Sequence, residues 1–284
     1  MLSYRHAYHA GNHADVLKHS ALVLMLEYLV QKDKPLWYID THSGVGRYRF
    51  DTPEAKKTGE FETGVARLWA HPQLPSLLSP YIDCIRAINT NDRLLHYPGS
   101  PGFAAQILRD SDRLRLFELH PQDFTSLSQV FAEDRRARVE KLDGLKSLKS
   151  LLPPPSRRAL VLIDPPYEQA EEYRWVVDTL KDALQRFATG TYMVWYPLLE
   201  NAEAKRFPQR LEALKCASTL RAELRVRKPQ TRADLKAGGL FGSGLFVINP
   251  PWMLAQQLRE LLPFFARELR EDDGADFRLD VVGA

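Results

Sequence analysis

Residues 159–167 read Ala-Leu-Val-Leu-Ile-Asp-Pro-Pro-Tyr, and no other stretch restricts the fold so tightly. The apolar run Ala159 to Ile163 has the composition of a strand buried on both faces of a parallel sheet. It must stop at Asp164, because neither Pro165 nor Pro166 can donate to a sheet ladder. The product is a stiff loop at a strand's carboxyl end, with one carboxylate, exposed carbonyls and the ring of Tyr167. Those groups suit a planar base carrying an amino group. Asp164 and the Pro165 carbonyl can each accept one N–H, and Tyr167 can stack on the ring. The lone pair of such an amine is delocalised into the ring, so it is a poor nucleophile. Two acceptors that draw its hydrogens toward tetrahedral geometry localise the pair for attack on an electrophilic methyl. The same residues also form an ordinary turn, so the surrounding pattern has to decide.

The 284 residues suit one large domain, or a domain with an insertion, that can fill a core without staples. Cys84 and Cys216 lie far apart and suggest neither a disulfide framework nor secretion. The first residues lack the layout of a signal peptide, and the apolar stretch Ala21 to Val30 is short and holds Glu27. The expectation is a soluble, cytoplasmic protein with no membrane partner. A net charge of +3 does not by itself announce nucleic acid. Two basic clusters stand out: Arg135, Arg136 and Arg138, and then Arg221, Arg225, Arg227, Lys228, Arg232 and Lys236. Each reads either as a phosphate contact or as a solvated face.

Along the chain, Gly11-Asn12 precedes a helical pattern over 13–31, with Leu17, Ala21, Leu24, Met25 and Tyr28 on one apolar face. A strand at 36–40 leads into the glycine loop Thr41-His42-Ser43-Gly44-Val45-Gly46. Residues 47–98 lack good strand patterns and read as an inserted helical subdomain, with helices near 60–70 and 76–88. The main domain is then 1–46 plus 99–284. Gly99-Ser100-Pro101-Gly102 opens a short helix. Strands follow at 114–118, 137–141, 159–163 and 192–196, with helices between, and the last strands lie near 217–226 and 244–248. Such alternation predicts a doubly wound, Rossmann-like α/β sheet. Ligands bind at the carboxyl ends of such strands.

Acidic residues fall at four of those ends: Asp40 before the glycine loop, Glu118, Asp143-Gly144 and Asp164. The spacing Gly-x-Gly-x-x-Gly and the Gly-x-x-x-x-Gly-Lys phosphate loop are both absent, which argues against a dinucleotide or ATP. Glu118 is placed to accept from a ribose diol, and Asp143-Gly144 to meet an adenine amino group. Each alone reads as a turn residue. Together with Asp-Pro-Pro-Tyr they resemble a class I S-adenosylmethionine-dependent amino methyltransferase, whose sheet is parallel with one antiparallel strand.

The resemblance narrows at the N-terminus. Residues Ser3 to His19 (Ser-Tyr-Arg-His-Ala-Tyr-His-Ala-Gly-Asn-His-Ala-Asp-Val-Leu-Lys-His), Tyr38 to Gly46 and Ile163 to Glu168 resemble the RlmJ family over nearly the whole chain. Its members are bacterial 23S ribosomal RNA adenine-N6 methyltransferases with a helical subdomain inserted in the fold. The resemblance implies S-adenosyl-L-methionine as cofactor and 23S ribosomal RNA as partner. It implies that Lys18 and His19 lie over the cofactor, that His42, Gly44 and Ser100 line the same pocket, and that Asp164 serves both cofactor and substrate. Tyr4 and His6 would close over the target base, and Lys18 would meet phosphate. The helix opening at Ser100 would point its N-terminus at the methionine carboxylate.

Rival readings remain. His9-x-x-x-His13 has metal-ligand spacing, but no cysteine is near and the helix begins between the two, so no metal is expected; separately, the expectation is a monomer. No Gly-x-Ser-x-Gly elbow supports a hydrolase. Asn249-Pro-Pro-Trp252 repeats the catalytic pattern, yet it ends a strand expected to run antiparallel, away from the cofactor. A DNA adenine methyltransferase, a protein-glutamine methyltransferase and a non-enzymatic nucleic-acid binder on the same fold stay open.

Overall fold

The structure, a computed structural model, describes residues 5–229 and 239–283; Tyr4, Arg232 and Lys236 fall outside them. In chain order, α1 (His13–Leu29) leads to β1 (Trp37–Asp40), and β2 (Arg47–Arg49) opens the inserted stretch. That stretch holds α2 (Pro53–Thr58), α3 (Glu60–Thr63), α4 (Val65–Trp69) and α5 (Ser79–Arg86), and closes with β3 (His96–Pro98). Next come α6 (Ser100–Ile107), β4 (Arg113–Phe117), α7 (Pro121–Val130), β5 (Ala137–Glu140), α8 (Gly144–Leu151) and β6 (Ala159–Ile163). The chain ends through α9 (Ala170–Arg186), β7 (Thr191–Leu198), α10 (Ala202–Glu212), β8 (Thr219–Arg225), β9 (Gly242–Ile248), α11 (Leu254–Glu268) and β10 (Asp276–Val282).

Eight strands form one sheet in the order β10-β8-β9-β7-β6-β1-β4-β5. β1 pairs in parallel with β4 on one side and β6 on the other. The chain winds outward through β4 and β5, then returns to lay β6 against β1. The strand order reverses there, which opens the crevice where such sheets bind ligands. All five residues of β6 are buried, as the apolar run predicts.

β9 runs antiparallel to both β7 and β8. A second strand against the parallel set, β10, pairs along β8 at the sheet edge. The sequence reading did not include it, because Asp-Phe-Arg-Leu-Asp-Val-Val carries the mixed pattern of an exposed edge strand. The antiparallel course of β9 carries Asn249 to the sheet's opposite end. Its Nδ2 donates to the carbonyls of Ala188 (2.8 Å) and Gly190 (2.7 Å), just before β7 begins. Asn249-Pro-Pro-Trp is therefore remote from Asp164.

Residues 47–98 depart from the purely helical expectation, because β2 and β3 pair antiparallel, with Arg47 opposite Pro98. Three-residue strands are too short to show a period in sequence. Their pairing returns the chain to the glycine loop, so α6 starts where a helix directly following that loop would start. Helix α1 is capped by Asn12, whose side chain accepts from the N–H groups of Ala14 and Asp15. It is buried on every side from His13 to Leu26, rather than along one face. The inserted stretch covers its outer side: Val65 N–H donates to the Gly11 carbonyl at 2.8 Å. Gly64 approaches so closely there that a Cβ would stand 2.1 Å from the Gly11 oxygen.

Candidate active site

The carboxyl ends of β1, β4 and β6, with the first turns of α1 and α6, enclose a cavity of about 750 Å³. A smaller hollow of about 500 Å³ between α9 and α10 lies away from these strand ends.

Asp40 ends β1 fully buried. Its Oδ2 accepts from Tyr38 Oη (2.7 Å) and Ser100 Oγ (2.6 Å), and Oδ1 accepts the His42 N–H (3.2 Å). Burial pushes its pKa up to about 6 against these bonds. Ser100 does line the cavity, but its hydroxyl is committed to Asp40, which fixes the start of α6 against the glycine loop. Gly44 turns that loop with φ of +61°, and a Cβ on it would meet Tyr48 Oη at 2.2 Å.

Glu118, after β4, accepts Gly44 N–H at 2.9 Å and His120 N–H at 2.7 Å. It faces the cavity, and burial raises its pKa. His42 also lines the cavity, with Nδ1 2.8 Å from Thr41 Oγ1, and burial lowers its pKa to about 4. Asp143 caps α8 by accepting the Lys146 N–H, and Lys146 Nζ lies 2.9 Å from it. It borders the cavity with that second duty already fixed. Gly144 also serves the packing. A Cβ there would stand 2.2 Å from the Thr41 carbonyl oxygen, so the glycine allows the β1 loop and α8 to touch.

Asp164 faces the cavity from the end of β6, and its Oδ2 receives Lys18 Nζ at 2.6 Å. Burial raises its pKa, and Lys18 opposes that rise. Lys18 is buried between Asp15 (3.0 Å) and Asp164, and lines the cavity with its ammonium held by both carboxylates. His19 is buried beside it and lines the cavity. Its Nδ1 meets Tyr97 Oη at 2.8 Å, while Nε2 has no hydrogen-bond partner. Burial depresses its pKa well below the ordinary histidine value, which leaves a neutral ring.

Tyr167 departs from the free stacking platform that the sequence suggests. It is 6% exposed, with φ of +53°. Its ring packs on Tyr173 and Phe207, and its hydroxyl donates to the Trp195 carbonyl at 2.8 Å. It reaches the cavity from within this cluster, so its first effect is to hold the elbow rigid. Trp195, on β7, also lines the cavity, with Lys18 Nζ 5.7 Å from its ring centroid. Sequence reading placed Trp195 in a strand and gave it no role. Asp15 stood out in the sequence only as one of the polar residues crowded into the first twenty positions, with no role of its own.

His6 Nε2 lies 2.8 Å from Asp15 Oδ2, which brings the N-terminal turn to the cavity wall. His9 and His13 do not converge: His9 Nδ1 meets Glu60 at 2.9 Å, and His13 is buried in α1. Among the described residues no group of three metal-ligating side chains gathers. The basic clusters are largely spent on internal pairs. Arg136 holds Asp134, Arg221 holds Glu212 and Glu223, and Lys228 holds Asp273.

These residues fit S-adenosylmethionine. The partnerless Nε2 of buried His19 looks for a polar ligand atom. Glu118 keeps lone pairs for a diol, and the glycine loop permits close approach. A doubly wound sheet with an acidic residue at each of these strand ends and an Asp-Pro-Pro-Tyr elbow defines a class I S-adenosylmethionine-dependent amino methyltransferase.

Comparison with known proteins gives the family. A family model described as "Ribosomal RNA large subunit methyltransferase D, RlmJ" matches residues 33–281. The chain is 47% identical over 269 residues to ribosomal RNA large subunit methyltransferase J of Escherichia coli strain K12, covering 95% of this chain and 94% of that one. It is 46% identical over 270 residues to the protein of the same name from Haemophilus influenzae, with the same coverage. The solved structure of Legionella pneumophila protein LPL1258 matches with a TM-score of 0.87 at 37% identity, covering 96% of this chain and 98% of that one. The chain belongs to the RlmJ family. Among the described residues, no helix is long and apolar enough to cross a membrane.

Proposed function

We propose that this chain transfers a methyl group from S-adenosyl-L-methionine to the exocyclic N6 of an adenine in 23S ribosomal RNA. The observation that carries the reading is the cavity-facing Asp164 at the end of β6, gripped from behind by Lys18 at 2.6 Å. The family's name directs the substrate to ribosomal RNA rather than to duplex DNA or protein glutamine.

S-adenosylmethionine supplies an electrophilic methyl carried on positive sulfur. Glu118, His19, His42, Asp143 and the Gly44 loop hold it. The adenine leaves its stack to reach the cavity, as base-modifying chemistry requires. Asp164 Oδ1 and the Pro165 carbonyl accept its two N–H bonds and aim the lone pair. With the donor bound, the lone pair so aimed would attack its methyl carbon, and the donor would leave with the electrons of the broken C–S bond. The surplus proton passes to Asp164 or to water. A carboxylate whose pKa burial has raised takes up that proton more readily than an ordinary one.

Tyr167 and Trp195 flank the base, Tyr167 as a fixed wall. His6, with Tyr4 before it, closes over the base from the N-terminal side. The work is done by a monomer without a metal, in the bacterial cytoplasm, with 1–46 and 99–284 as the methyltransferase domain and 47–98 as a helical subdomain. Labelled donor incubated with protein-free 23S ribosomal RNA, or with duplex DNA, tests the reading. Label confined to N6-methyladenosine in the RNA supports it, and label in DNA alone rejects it.

A further inference from the structure

Asp15 lies on the first turn of α1, 1% exposed, and the reaction as derived gives it no task. Its Oδ2 accepts the Gly11 N–H at 2.9 Å and meets His6 Nε2 at 2.8 Å. Its Oδ1 lies 3.0 Å from Lys18 Nζ, which lies 2.6 Å from Asp164 Oδ2. Two carboxylates thus share one ammonium in a site shielded from water, and the chain of contacts ends at Asp164, the acceptor assigned above to the reacting amine.

A Lys18–Asp164 pair alone would be neutral. It would offer no net attraction to the positive charge that grows on N6 as the methyl arrives. With Asp15 the trio carries one net negative charge. Charges weigh heavily in such a low-dielectric site. The arrangement also occupies Asp164 Oδ2 and leaves Oδ1 for the base.

We propose that Asp15 is a positioning residue for methyl transfer: acting through Lys18, it supplies the excess negative charge that makes Asp164 effective toward N6. The inference rests on the role of Asp164 given above. Burial drives Lys18 toward the neutral amine, but Asp15 and Asp164 outweigh it and hold the ammonium above the usual lysine range. The charged and titratable groups around Lys18 are Asp15 and His19 from α1, His6 from the N-terminal turn and Asp164 after β6. Asp40 on β1 faces Asp164, whose charge raises the Asp40 pKa. His19 stays neutral because it is buried.

Asp15→Asn keeps the shape and an acceptor for Gly11. Two readings are taken from it. In ligand-free protein with labelled lysine, NMR of the Lys18 Nζ should show an ammonium throughout about pH 7 to pH 10 in the wild type, and a titration within that window in the variant. In turnover assays, kcat of the variant near neutrality should fall on the order of tenfold to hundredfold. It should then recover as pH rises, because neutral Lys18 beside ionised Asp164 restores the net charge. The wild-type profile should be flat there, donor affinity unchanged, and Asp15→Glu should keep the flat profile. Should the amide variant not fold, Asp15→Ser gives the same pH signature. A wild-type kcat and profile, or a loss that does not vary with pH, overturns the inference. An active Asp164→Ala removes the underlying reading instead. Inactive Asp164→Ala beside an unperturbed Asp15→Asn removes only this one.

Discussion

Lys18 Nζ on α1 lies 2.6 Å from Asp164 Oδ2 at the end of β6, a contact across 146 residues of sequence. It ties the N-terminal helix to the Asp-Pro-Pro-Tyr elbow.

Removing the ammonium should therefore cost stability as well as activity. Lys18→Met leaves Asp15 and Asp164 as buried carboxylates facing each other. The expected loss is about 3–5 kcal/mol near neutrality. Repulsion between like charges would raise both carboxyl pKa values in the variant, so the loss should shrink as pH falls and they protonate. Urea titrations at two pH values check this, and an unchanged midpoint in both would contradict the burial of the trio.

Asp40 gives a second pH signature. Burial holds its pKa at about 6 in the folded protein, above the ordinary aspartate value of 3.8. The folded state therefore holds the proton more tightly than the unfolded chain. The associated stability is fully present below the unfolded value and is lost as pH rises through about 6, a difference of about 3 kcal/mol. Asp40→Asn cannot ionise. Relative to wild type it should gain stability between pH 4 and pH 7 by roughly that amount. An equal stability difference at both pH values would show that Asp40 titrates normally.

Gly144→Ala should destabilise the fold by about 1–3 kcal/mol, because the added Cβ meets the Thr41 carbonyl oxygen at 2.2 Å. Thermal unfolding reads the loss directly. A neutral substitution would show that the Thr41 loop moves freely.

Tyr167 separates rigidity from stacking. Tyr167→Phe removes only the O–H donated to the Trp195 carbonyl, a loss of about 0.5–1.5 kcal/mol in stability. It should keep kcat within about tenfold, because the ring and its packing on Tyr173 and Phe207 stay in place. Tyr167→Ala empties the cluster with Tyr173 and Phe207 and should lose far more. Equal kcat in the two variants would mean that the ring holds nothing in place.

Much of this molecule was legible because strong local chemistry coincides with global structure. Ala159 to Ile163 is apolar without a break and ends in two prolines, so strand, burial and loop all follow from the same residues. Asn249 to Trp252 could be set aside because the strand before it was expected to run the other way. What escaped depends on distant partners. Nothing near Lys18 in sequence announces Asp164, so the lysine read as a cofactor and phosphate contact, without its buried carboxylate partners. Asp143 and Gly144 looked like ligand contacts, yet one also caps α8 and the other gives way to the Thr41 backbone. Trp195 alternates with buried neighbours on β7, and only the assembled sheet shows that it borders the cavity. The all-round burial of α1 was hidden too, because the inserted stretch that covers it begins far down the chain.

The most direct test is methylation of protein-free 23S ribosomal RNA with labelled S-adenosylmethionine, followed by nucleoside analysis, for the wild type and Asp164→Ala side by side. The account predicts N6-methyladenosine from the wild type and a loss on the order of a hundredfold or more in the variant, with unfolding behaviour showing that the variant is folded. A different methylated nucleoside, or full turnover by Asp164→Ala, would contradict it.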